Sequence, residues 1–343
     1  MSDKKVKASI IGFGKMGVIR EEALIKNKRV EIKSIFEPSL STHDKYALIK
    51  DVREIIKDKS IDTVFLCSYN KMNIDLTFEC LKHEKNVFCE KPPAFSSAEM
   101  LRIIDLEKKS GKKLMYGFNH RHHPSIKKIK ELVSVEEYGK VLWMRGRYGK
   151  SVDEEYLSTW RANKDLAGGG ILLDQGLHML DLFNYIAGDF DEVKAFVSSL
   201  YWKTPGIEDN VFAMMRNSKT GVCSSLHSTM TQWRHLFSLE VFLEEGYMVL
   251  NGLQTSSNTY GDEILTIAKN RTKAPAASWD DEERIEFKTD NSWQEEVNHF
   301  IDSIYNDEEI QIGNSYDALK LMQLVDRIYD NERRESEKLY TSL

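Results

Sequence analysis

Between residues 166 and 188 the sequence reads LAGGGILLDQGLHMLDLFNYIAG. It places Asp174, His178, Asp181 and Tyr185 among leucines, with no Lys, Arg or Glu to keep such a segment wet. Read as a helix over 172–187, these four positions follow i, i+4, i+7, i+11 spacing and share one face. Leu173, Leu177, Met179, Leu180, Leu182, Phe183 and Ile186 take the remaining directions. A narrow titratable stripe on an otherwise apolar helix fits the lining of a cleft better than a face turned to bulk water. Imidazole titrates near neutrality, so His178 is suited to general-base work, and Asp174 could orient it or fix its tautomer. The glycines just before the stripe would let backbone approach a ligand without side-chain obstruction.

A second group of residues opens the chain. In VKASIIGFGKMGVIREEALIKN an apolar run of strand length leads into Gly12, Gly14 and Gly17, and then into a helical pattern. Strand before and helix after is the context a dinucleotide-binding turn requires. One glycine permits the tight turn, one admits the pyrophosphate to the backbone, and one packs helix on strand. The helix N-terminus offers N–H groups to the phosphates, so Phe13, Lys15 and Met16 join the glycines as candidate contacts. The next strand, VEIKSIFE, ends at Glu37, twenty residues past Gly17. A carboxylate there can accept hydrogen bonds from the adenosine ribose. It would also repel a 2′-phosphate, and Pro38-Ser39-Leu40 supplies no arginine to attract one, so the reading favours NAD over NADP.

These groups need elements to position them. IDTVFLCSYN and NVFCEKPPAF read as further strands, each followed by a helical pattern, and strand–helix alternation implies a doubly wound parallel sheet. Ligands on such sheets sit at the carboxyl ends of strands, where Ser68, Asn70, Glu90 and Lys91 fall. From about Val141 the pattern shifts to longer alternating segments that read as antiparallel strands with one covered face. SWQEEVNHFIDSIYN and SYDALKLMQLVDRIYDNERRES close the chain as amphipathic helices.

With 343 residues, two domains are expected: a Rossmann domain over 1–120 and an α+β substrate and oligomerisation domain over 121–343. A net charge of −6 argues against nucleic acid as a partner. No run is long enough to span a bilayer and the start lacks the apolar core of a signal peptide, so a cytoplasmic protein with no membrane partner is expected. Cys67, Cys80, Cys89 and Cys223 show no CxxC pairing and read as reduced, buried packing residues. The run HRHH at 120–123 lacks paired ligand spacing and reads as cleft lining, so no metal is expected.

The motifs GFGKMG, Glu37, CSYN, EKPPA, GFNHRHHP and WRANKDLAGGGILLDQGLHMLDLFNYIAG, in this order, resemble the glucose–fructose oxidoreductase / inositol dehydrogenase (Gfo/Idh/MocA) family. Two departures are visible: a short connection after Glu37, and NKMN where the family often carries histidines. The resemblance implies an α/β Rossmann domain followed by an α+β domain with a large, mostly antiparallel sheet. The open face of that sheet would make a homodimer or homotetramer. It also implies a catalytic group of Lys91, Asp174 and His178. NAD would exchange a hydride with a hydroxyl or ketone of a sugar, cyclitol or nucleotide sugar. Either Lys91 or His178 can carry the proton on this reading. His120, Arg121, Trp160 and Arg161 are candidate substrate contacts, an arginine being able to grip a carboxylate or phosphate. Two alternative functions are a glycosidase or epimerase that oxidises transiently, and a non-catalytic dinucleotide sensor, which has no need of Lys91, Asp174 and His178 together.

Overall fold

The computed structural model describes residues 5–255, 257–269 and 278–341. The chain forms two compact units, and it does not divide at a single point. The first unit joins residues 1–122 to 165–168 and 292–322, and the second holds 123–164, 169–291 and 323–343.

In the first unit, β1 (Val6–Ile11), α1 (Lys15–Lys26), β2 (Val30–Phe36), β3 (Ala47–Ile49), α2 (Val52–Lys57), β4 (Thr63–Leu66), α3 (Asn70–Lys82), β5 (Asn86–Cys89), α4 (Ser97–Ser110) and β6 (Leu114–Tyr116) follow in order. The six strands form one parallel sheet in the order β3-β2-β1-β4-β5-β6. The order reverses at β1, the switch point that leaves a crevice beyond the strand ends. Parallel strands need helical crossovers that cover the sheet, which is why β4 is buried at every residue.

The second unit follows with α5 (Pro124–Ser134), β7 (Val141–Ser151) and α6 (Glu154–Leu157). Next in the chain comes α7 (Lys164–Ala167), most of which clusters with the first unit. A π-helical turn over Leu172–Gly176 runs into α8 (Leu177–Ala187). Then come β8 (Glu192–Ser198), β9 (Asn210–Arg216), β10 (Cys223–Thr229), β11 (Thr231–Leu243), β12 (Gly246–Asn251), β13 (Glu263–Lys269) and β14 (Glu283–Phe287). Eight strands form a sheet in the order β14-β13-β12-β11-β7-β10-β9-β8, antiparallel except where β7 pairs with β10.

Residues alternate across this sheet. Along β7, Met144, Gly146 and Tyr148 are buried while Trp143, Arg145 and Arg147 are exposed. Gly146 is small because Met179 and Phe183 of α8 press on it, and a Cβ there would overlap Met179. The opposite face is open and apolar in part, with Phe196 75% and Met214 67% exposed. Cys223 also differs from expectation. It is exposed on β10, whereas Cys67, Cys80 and Cys89 are buried as read from the sequence.

The chain ends with α9 (Ser292–Tyr305) and α10 (Ser315–Thr341). The sequence reading assigns both helices to the second domain, yet α9 belongs to the first unit. Its Val297, Phe300 and Ile301 join the core of the parallel sheet, where Phe300 meets the stacked Phe65 and Phe88 edge-on, both at 5.6 Å. Among the described residues no helix is long and apolar enough to cross a membrane.

Candidate functional site

In the first unit, Gly12 has a φ of +88°, and a Cβ there would lie 2.7 Å from the carbonyl carbon of Cys67. Gly17 lies against the carbonyl of Gly12, which a Cβ would overlap. Both positions admit only glycine. Gly14 is different, since a Cβ on it meets nothing within 4 Å, so the space above the turn is open. Gly14 caps α1 without a side-chain hydrogen bond, and the helix has no acidic residue in its first turn. Its leading N–H groups therefore keep their capacity for an anion. Phe13 and Met16 pack their side chains toward the core while Lys15 is exposed.

Glu37 stands at the end of β2 with its carboxylate braced. Phe13 N–H donates to Oε2 at 2.9 Å, and Ser39 N–H and Oγ–H donate to Oε1 at 3.2 and 2.9 Å. This ties the Glu37 carboxylate to the glycine turn itself. After β4, Ser68 is clamped by Asn73, whose Oδ1 accepts from Ser68 N at 2.8 Å and whose Nδ2 donates to Ser68 O at 3.0 Å. Asn70 Nδ2 donates to Ala167 O at 2.8 Å, which ties residues 165–168 to this unit. An open helix N-terminus, glycine-only approaches and a fixed carboxylate fit a dinucleotide.

The Glu90-Lys91-Pro92 turn follows β5, with a cis Lys91–Pro92 bond and Lys91 half-buried. Glu90 corrects the sequence reading, which has it face the cofactor. Its carboxylate is buried and accepts from Arg20 Nε at 2.7 Å. Arg20, fully buried, also lies 2.6 Å from Glu296 and between the ring faces of Phe88 and Trp293. Burial opposes the guanidinium charge, but Glu90 and Glu296 outweigh it and hold the Arg20 pKa above its ordinary value. Burial also pushes the Glu296 carboxyl up to about 7.

Arg121, a candidate substrate contact in the sequence, is buried and donates to Asp317 at 2.7 Å. The HRHH run disperses: His120 Nδ1 is 3.1 Å from Asn119 Oδ1, while His123, in the second unit, is 3.0 Å from Glu263. Among the described residues no three His, Cys, Asp or Glu side chains gather as a metal site.

In the second unit the helix expected over 172–187 breaks into two geometries. Asp174 sits in the π-helical turn, while His178, Asp181 and Tyr185 sit on α8. A π turn rotates less per residue than an α turn, so the four do not follow one regular α stripe. The glycines before it also do something else than expected. A Cβ on Gly170 would overlap the Glu208 backbone, and one on Gly169 would lie 2.5 Å from the Tyr329 hydroxyl. The Glu208 carboxylate accepts from Gly170 N at 2.8 Å, Leu172 N at 3.0 Å and Tyr329 OH at 2.9 Å. Their smallness serves close packing against the protein, and Glu208 latches the start of the turn.

Asp174 Oδ2 accepts from Tyr156 OH at 2.9 Å and from Lys150 Nζ at 3.1 Å. Burial and then Asp174 push the Tyr156 phenol far above its ordinary range, so it stays a donor. His178 is buried, with its ring 6.4 Å from that of Tyr148, which packs edge-on to Tyr260 at 5.4 Å. Burial foremost, with Tyr260 and Asp174 adding to it, raises the Tyr148 phenol as well. Trp160 and Arg161 form a 3-10 turn, the guanidinium lying 4.5 Å over the indole and 5.7 Å over Tyr156. Lys150, Tyr148, Tyr156, Tyr260 and Glu208 were not singled out from the sequence. Lys150 and Tyr148 share the alternation of β7, a signal that reads equally as ordinary strand pattern.

A parallel nucleotide-type sheet and a second, mostly antiparallel sheet define a two-part protein of the Rossmann class. Residues 6–118 match the oxidoreductase family with an NAD-binding Rossmann fold, and residues 126–249 match the GFO/IDH/MocA C-terminal domain. The chain belongs to the Gfo/Idh/MocA family. The uncharacterized oxidoreductase YrbE of Bacillus subtilis is 28% identical over 228 residues, covering 64% of this chain and 63% of that protein. The myo-inositol 2-dehydrogenase of Thermotoga maritima is 31% identical over 196 residues, 54% of this chain and 55% of that protein. The matched stretch thus spans less than two thirds of either relative. A levoglucosan dehydrogenase in complex with NADH shares the fold, with a TM-score of 0.84 at 21% identity, covering 96% of this chain and 98% of that one.

Proposed function

We propose that the protein is an NAD-dependent dehydrogenase or reductase acting on a secondary hydroxyl or ketone of a sugar, cyclitol or nucleotide sugar. The observation that carries this is the buried His178, its ring 6.4 Å from Tyr148, in the helical segment that also carries the hydrogen-bonded Asp174, in a domain matched to this family. NAD, when bound, supplies the hydride acceptor at nicotinamide C4. His178 takes the hydroxyl proton in the oxidation direction. Lys91, in the first unit, is suited to donate a hydrogen bond to a substrate oxygen and stabilise developing negative charge. Relatives named for inositol, levoglucosan and D-glucoside oxidation support a polyhydroxylated substrate.

The test is a panel of polyols, aldoses, sugar acids and nucleotide sugars, followed by the absorbance of reduced nicotinamide. Net reduction with one class supports the proposal. Substrate conversion without net reduction points to transient oxidation, and neither one points to a sensor.

Glu37 supports NAD over NADP, because its carboxylate stands where a 2′-phosphate would be repelled. Glu37→Ala is expected to raise the Kd for NADH by about tenfold, the loss of a charge-assisted hydrogen bond. It should also narrow the preference over NADPH, as read by fluorescence titration of both. Unchanged selectivity would remove Glu37 from the role.

We also infer a homo-oligomer formed through the open face of the second sheet, where Phe196, Phe212 and Met214 lie exposed. Light scattering is expected to report a dimer or tetramer. A strict monomer would contradict this.

A further inference from the structure

Asp174 is held from two sides. Lys150, on β7, and Tyr156, on α6, donate to the same oxygen of its carboxylate. The Lys150 ammonium also lies 4.5 Å from the centre of the Tyr156 ring, so the three groups form a closed triangle. The lysine and aspartate side chains are only 19% and 17% exposed, which limits screening by water. His178 stands four residues on, its ring 6.4 Å from that of Tyr148, whose phenol feels the Asp174 charge.

Resting on the reading of His178 as proton carrier, we propose that Lys150 and Tyr156 are positioning residues that hold Asp174 as a charge-balanced carboxylate and keep His178 a neutral base. An aspartate without a counter-cation favours the imidazolium form of a nearby histidine. A histidine already protonated cannot accept a hydroxyl proton. The Lys150 ammonium offsets the Asp174 charge, and the Tyr156 hydroxyl fixes the carboxylate without adding charge.

Other polar groups surround the cluster. Tyr148 of β7 and Tyr260, from the segment between β12 and β13, are neutral phenols, and Burial foremost and Asp174 next keep Tyr260 protonated. His235 of β11 lies beyond Tyr260, at 4.9 Å ring to ring. Ser228 of β10, uncharged, meets Gly176. Arg161 lies over the far partner, Tyr156, and Asp181 is buried further along α8. Glu208 is engaged by Gly170, Leu172 and Tyr329.

The test is the titration of His178 in the full chain, saturated with NADH, by NMR of carbon-labelled histidine. Its resonance is assigned by its loss in His178→Gln. Lys150→Met is expected to raise the His178 midpoint by about one pH unit. Lys150→Gln, which keeps a donor but not the charge, should raise it similarly, and Lys150→Arg should restore the wild-type value. An unchanged or lowered midpoint in Lys150→Met and Lys150→Gln overturns the proposal. Full turnover in His178→Ala would instead sink the base assignment while leaving the titration result intact.

Discussion

His178→Ala and Lys91→Ala are each expected to lower kcat by about 10²–10⁴-fold, the usual worth of a positioned proton-transfer group for His178 and of a donor to developing negative charge for Lys91. The physical reason differs between them. His178 is buried on α8 in a setting of phenols and a braced carboxylate, where water is poorly placed to replace it as base. Lys91 follows β5 on a turn anchored by the buried Arg20–Glu90 pair, so its backbone is set by contacts alanine does not disturb. NADH affinity should therefore change only a few-fold in either variant, because the glycine turn and Glu37 stay intact. The pair of readings separates chemistry from binding: a drop in kcat with an unchanged Kd for NADH marks an interaction used in the reacting state. Wild-type turnover in either variant removes that residue from the mechanism.

Arg20→Leu is expected to destabilise the first unit by about 3–5 kcal/mol, the cost of leaving a buried charge without its partner. Arg20 is fully buried and ion-paired to Glu90 and Glu296. Both carboxylates would remain after its loss, in a site closed to water. The pH dependence has a definite sign. Burial holds the folded Glu296 pKa at about 7, above the ordinary value of 4.5 for an unfolded chain. The folded state then binds the proton more tightly, so this contribution is present below pH 4.5 and is lost as pH rises through about 7. Without Arg20 the loss should steepen. Urea unfolding at pH 5 and pH 8 should show the variant weaker at both, with the larger deficit at pH 8. A deficit under about 1 kcal/mol at both would show that the triad does not stabilise the unit.

Much of this was open to reading along the chain, for a reason specific to each element. Gly12 and Gly17 are legible because the turn leaves no room for any other side chain, and such exclusion writes itself into residue type. Glu37 is legible because the strand ending there has a fixed distance from the turn. The second sheet shows itself through alternation, which one covered face imposes.

What stayed hidden depends on distant partners. Arg20 reads as an ordinary helix charge, and only the fold brings Glu90, 70 residues away, and Glu296 to it. The α9 helix is amphipathic in any setting, so its pattern does not say which sheet it covers. The π turn at Leu172–Gly176 leaves no mark in residue type, and it shifts Asp174 out of the α register of His178. The triple glycine stands out in the sequence, but its packing partners, Glu208 and Tyr329, lie 38 or more residues away from it and cannot be inferred from spacing.

The most direct measurement is the fate of the carbinol hydrogen. Carbon-deuterated myo-inositol and D-glucose would be incubated with the protein and NAD, and the mass of the recovered reduced coenzyme determined. The expected result, with at least one of the two sugars, is NADH that carries one deuterium in its nicotinamide ring. Formation of NADH without deuterium from a deuterated substrate that is oxidised would contradict direct hydride transfer from the carbinol carbon.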